Sequence, residues 1–132
     1  MLNFLYYLHQ SRLIALLPRN AHGIVRTQKP ERIYLDNTNI LYALPGTEPN
    51  AGTLRKTFVH KALQSAGWQP SYAKSGDFRA GEYLFEVDGR NKGSKQFAGV
   101  KNAFRLVDNT EAAFGNRIPL WLMSLLKTQG VR

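Results

Sequence analysis

The residues able to do chemistry gather in one stretch, "GDFRAGEYLFEVDGRNKG", residues 76–93. Asp77, Glu86 and Asp88 are three of its four acids, and Arg90 and Lys92 follow at once. Carboxylates grouped in this way suit a hard divalent cation such as Mg2+, which takes oxygen ligands and keeps several waters. Such a cation would polarise a phosphate, generate hydroxide from a bound water and stabilise the leaving oxygen. Hydrolysis also needs a positive side chain near the water or the phosphate, and Lys92, Arg90, Lys74 and Lys95 are candidates. The plainer alternative is an amphipathic hairpin with a charged, solvated face.

Whether the acids meet depends on the turn. With Ala80 and Gly81 as a two-residue turn, Arg79 pairs with Glu82, Phe78 with Tyr83 and Asp77 with Leu84. Strand alternation then puts Asp77, Arg79, Glu82, Leu84, Glu86 and Asp88 on one face. Phe78, Tyr83, Phe85 and Val87 take the other face and should be core. Asp77 and Glu86 become diagonal neighbours, roughly 7–8 Å apart at the backbone, so both carboxylates could reach one Mg2+.

Competing chemistries lack their residues. The chain has no cysteine, which excludes disulfides, thiol nucleophiles and cysteine-type zinc sites and fits a reducing cytoplasm. Its three histidines, His9, His22 and His60, have no metal-ligand spacing and read as ordinary surface or part-buried residues. "GRNKGSK" lacks the GxxxxGK[ST] spacing of a phosphate loop. Neither a nucleophile elbow nor a dinucleotide fingerprint occurs. No nucleotide cofactor is expected.

The elements that must carry the hairpin read as follows. Residues 2–11 have helical apolar spacing, and "RLIALL" is open between more helix and a buried strand. "GIVRT" and "RIYLDN" read as strands around a basic loop. Helix, strand, loop and returning strand match the last part of a winged helix. Asp36 or Asn37 can cap a short helix, "TNILYAL". A longer helix runs from Thr53 to Gly67, with Leu54, Phe58, Ala62, Leu63 and Ala66 as its buried stripe. Arg55, Lys56, His60, Lys61 and Gln64 should lie mostly outside it. "KGSKQFAGVKN" reads as a helix with Ser94 as a candidate cap, and "AFRLVD" as a strand. "NRIPLWLMSLLKT" should be helical from Pro119, with Leu120, Trp121 and Leu125 completing the core. From residue 53 the order is helix, strand, strand, helix, strand, helix, which implies a sheet with helices on its faces.

At 132 residues the chain suits a small globular protein, and a formal net charge of +9 favours a polyanion such as nucleic acid. The apolar N-terminal stretch is interrupted by His9, Gln10 and Arg12, too soon for a membrane span. A soluble, cytoplasmic protein without a membrane partner is expected.

"KPERIYLDNTNILYAL", "GTLRKTF", "GDFRAGEYLFEVDGRNKGSKQ" and "NRIPLWLMSLL" together resemble the C-terminal half of a large prokaryotic family of AAA-type ATPases. The resemblance is collinear over nearly the whole chain. In that family an ATPase core precedes a winged-helix segment and a domain of unknown function that looks like the restriction-endonuclease fold of PD-(D/E)xK nucleases. It implies an α/β, restriction-endonuclease-like mixed sheet flanked by helices over residues 37–132, preceded by a partial winged-helix segment over residues 1–36.

By the same resemblance, Asp77 matches the first motif acid and Glu86 the second, the metal-binding and catalytic pair. The motif then wants lysine at the position of Asp88, and the nearest lysine is Lys92, four residues further on. Family members commonly carry glutamate where this chain has Lys56, and a lysine there would repel a metal. The ATPase core has no counterpart here, so ATP hydrolysis is not expected. The leading expectation is a non-catalytic accessory module that binds nucleic acid or a partner. Lys56, Lys74, Arg79, Arg90, Lys92, Lys95 and Lys101 would contact phosphates. The alternatives are an Mg2+-dependent nuclease using Asp77, Glu86 and Lys92, and an interaction domain whose apolar tail packs on an ATPase core or a second copy.

Overall fold

A computed structural model of the chain describes residues 1–20, 22–24, 27–46, 48–88 and 99–128. Helix α1, Leu2–Gln10, leads into the antiparallel strands β1, Ile14–Leu17, and β2, Arg32–Leu35. "RLIALL" therefore resolves as strand. Its residues Ala15, Leu16 and Leu17 are all buried, which suits a strand covered on both faces. Of the expected strand "GIVRT", Val25 and Arg26 lie outside the described residues, and Gly23 and Ile24 form no strand.

Helix α2, Thr38–Ala43, is capped by Asn37, whose side chain accepts from the Ile40 N–H at 3.1 Å. Helix α3, Ala51–Ser65, starts two residues earlier than its apolar pattern suggests. Asn50 caps it, accepting from the N–H groups of Gly52 and Thr53. Gly67, at φ +84°, ends it. The Gly67 N–H donates to Gln64 O and the Trp68 N–H to Leu63 O, satisfying carbonyls that the helix leaves open.

Strands β3, Phe78–Ala80, β4, Tyr83–Asp88, β5, Ala103–Val107, and β6, Arg117–Pro119, form one sheet in that order. β3 runs antiparallel to β4, while β4, β5 and β6 are mutually parallel. A single bridge, Ser71 to Arg79, extends the sheet past β3. The chain is thus α/β, a mixed sheet flanked by helices. Among the described residues no helix is long and apolar enough to cross a membrane.

One core joins these parts. Phe78, Ala80, Phe85 and Val87 point from the sheet toward Val59 and Leu63 of α3, with Leu106 and Met123 completing the cluster. Leu17 of the first hairpin is fully buried in this cluster, and Tyr34 packs against it. The opposite sheet face carries a smaller cluster of Ala73, Leu84 and Ala103.

Two burial expectations change. The buried face of α3 is centred on Thr57, Val59, His60 and Leu63 rather than on Leu54 and Phe58. The helix packs against β4, α2 and the C-terminal 3-10 helix, and the first hairpin's Tyr34 ring lies 5.7 Å from that of His60. At the C-terminus Pro119 ends a strand, and Leu120–Leu125 form the 3-10 helix. Leu120 and Met123 face the core, whereas Trp121 and Leu125 do not: they are 52% and 67% exposed. Three residues per turn cannot keep all these apolar positions on one stripe.

Candidate functional site

The hairpin turns one residue later than its glycine alone suggests. Observed pairs are Phe78 with Phe85, Arg79 with Leu84 and Ala80 with Tyr83, leaving Gly81 and Glu82 as the loop. Gly81 sits at φ +59°, as glycine at the first position of a two-residue hairpin loop does. A Cβ there would also lie 2.9 Å from Trp68, so the site accepts only glycine without movement. Moving the turn by one residue slides each partner by two, so the apolar face is unchanged.

The ladder stops at Phe78, and Asp77 leaves it. Its N–H donates to Phe85 O at 2.9 Å, and Oδ2 accepts from the Val87 N–H at 2.9 Å. Gly76 permits this close crossing, since a Cβ there would stand 3.1 Å from Phe85 O. The second carboxylate oxygen, Oδ1, lies 2.7 Å from Lys56 Nζ of α3. Both oxygens of Asp77 are therefore engaged, one by backbone and one by an ammonium. Tyr34 lies on the same side of the sheet. Burial first, and the Asp77 charge second, push its phenol up to about 12, so it stays neutral.

Glu86 has a different partner. It lies beside Arg105 in the parallel register of β4 and β5, and Oε2 stands 3.9 Å from Arg105 Nε. Alternation puts Glu86 on the Leu84 side, away from Phe85 and Val87. The two acids expected to share one cation are thus each met by a separate cation of the chain. Asp77 is approached from the α3 side and Glu86 from β5.

The remaining expected residues divide in two. Lys74, Arg79 and Lys101 are exposed, on the strap before β3, on β3 itself and in the turn before β5. Arg90, Lys92 and Lys95, the helix expected in "KGSKQFAGVKN" and its Ser94 cap lie outside the described residues. Asp88 ends β4. Among the described residues no group of three or more histidines, cysteines or acids could hold a metal ion.

Sequence reasoning missed Arg105 and His60. An arginine inside the apolar run "AFRLVD" is the available signal, because a charge within a strand needs a nearby counter-charge. His60 is in the core at 3% exposure, with its ring against Tyr34 and Phe78. Burial lowers its pKa to about 4 despite the opposing pull of Asp36. Asp36 itself is buried and held by Lys61 at 2.8 Å, leaving the capping of α2 to Asn37. The chain matches no known protein family, no curated protein and no solved structure.

Proposed function

We propose that this chain is a nuclease-like accessory domain that binds nucleic acid without cutting it, serving an AAA-type ATPase of the kind it resembles. The observation that carries this is the Lys56 ammonium 2.7 Å from Asp77. A divalent cation binding Asp77 there would have to displace that ammonium and would then meet its repulsion at a few ångströms. Arg105 balances Glu86 in the same sense. With both acids neutralised from within, the domain offers phosphates its surplus of positive charge and little to activate a water.

Exposed Lys74, Arg79 and Lys101, together with Arg90, Lys92 and Lys95, supply the phosphate contacts in this reading. Binding should then weaken steeply with salt as counterions are released. A labelled-DNA titration at low and moderate salt tests it: absence of binding at low salt ends the proposal. Incubation with DNA and Mg2+ or Mn2+ tests the other half. Cleavage that disappears in Asp77→Ala would make the protein a metal-dependent nuclease instead.

A further inference from the structure

An open groove runs between α2, α3, the end of β5 and the 3-10 helix, with a volume of about 340 Å³. Leu54, Phe58, Val107 and Leu120 line its apolar part. Two aromatic residues stand at it at least half exposed, Tyr42 at 66% and Trp121 at 52%. The indole is fixed in place: its Nε1–H donates to Thr110 O at 3.3 Å. Arg55 borders the groove, held by Asp108 at 3.0 Å.

We propose that this groove takes an unpaired base of a single-stranded polynucleotide, stacked on Trp121 and Tyr42, with Arg55 toward a neighbouring phosphate. The assignment rests on the reading of the domain as a nucleic-acid binder. Charge selects the occupant. A second copy of this chain brings another formal +9 to the contact, and long-range repulsion opposes that pairing. A polynucleotide brings the opposite sign together with flat, apolar faces. Stacking on a held aromatic ring tolerates any base, since every base has a π-face. In a duplex those faces are already covered by neighbouring bases, so the strand must be single. Arg55 and Lys56 are consecutive in α3, so one helix end serves the groove with the first and Asp77 with the second.

The test is fluorescence anisotropy of labelled oligothymidine, its duplex with oligoadenine, and the matching oligouridine, with the full chain at low salt. Single-stranded DNA should bind more tightly than duplex. Trp121→Ala and Tyr42→Ala should each weaken it about tenfold, while leaving duplex binding unchanged. Quenching of Trp121 fluorescence in a Trp68→Phe background should follow the same isotherm. Circular dichroism confirms folding of each variant, and Tyr42→Ala carries the test if Trp121→Ala is unfolded. Equal binding of single strand and duplex, unaffected by either substitution, would overturn the groove and leave the nucleic-acid reading intact. Oligothymidine and oligouridine should both outbind the duplex, and their ratio tells a deoxyribose from a ribose strand. Failure of every polynucleotide to bind would overturn both.

Discussion

The Asp77 site and the Tyr42–Trp121 groove use the two ends of the same physical choice. At Asp77, charge is abundant and internally matched: Lys56 and the Val87 N–H take its two oxygens. At the groove, charge is sparse and apolar surface is left open, with the Trp121 indole pinned through its N–H and the residue half exposed. A half-buried carboxylate must find a cation or a donor wherever the fold puts it, and here the nearest are the protein's own. An exposed ring faces no such demand and remains available. A motif rich in acids is therefore the closed region of this molecule, and a tail expected to be core is the open one.

Substitutions can break or sharpen that contrast, beginning with the largest effect. Phe78→Ala empties a fully buried position beside Asp77 and should cost about 3–5 kcal/mol in chemical denaturation. Next comes pH. The folded pKa of His60, about 4, is below the ordinary value of 6.5. Its stabilising contribution is then complete above about pH 6.5 and is lost as pH falls toward 4, to a total on the order of 3 kcal/mol. Urea unfolding at about pH 7 and about pH 4.5 should show the loss in the parent and much less of it in His60→Phe. An unchanged pH dependence in that variant would place the acid sensitivity elsewhere.

Lys56 tests the closed region directly. Lys56→Ala should cost about 1 kcal/mol, a value limited by the solvent that reaches this partly exposed pair. Lys56→Glu adds like-charge repulsion against Asp77, and Mg2+ should then raise the Tm of the variant and leave the parent unmoved. A Mg2+-dependent rise in the parent would contradict internal neutralisation. The smallest change belongs to the open region. Trp121→Ala should alter stability by less than about 0.5 kcal/mol, because exposed substitutions seldom matter to folding. A loss of several kcal/mol would show that the ring is structural after all.

Much of the local structure was legible. Alternation in "DFRAGEYLFEV" separated Phe78, Tyr83, Phe85 and Val87 from the charged side, and that separation holds because it needs only neighbouring residues. The glycines at residues 67 and 81 marked a helix end and a turn for a backbone reason, their positive φ. The turn position was less accessible, since it also depends on Trp68 lying under Gly81 from thirteen residues away in the chain. His60 was misplaced for a similar reason. Nothing in α3 says that Tyr34 and Phe78 will close over it from two other elements.

The chain by itself determined what is set by short range: strand faces, the capped start of α2, the absence of thiol chemistry and the excess of positive charge. Tertiary structure alone decided which charges meet. Lys56 reaches Asp77 across twenty-one residues, Arg105 reaches Glu86 across nineteen, and Lys61 reaches Asp36 across twenty-five. Each pairing depends on packing between separate elements, whose distances no local pattern encodes. It also decided that Trp121 stays outside the core, because the 3-10 turn commits Leu120 and Met123 inward and leaves the indole toward solvent.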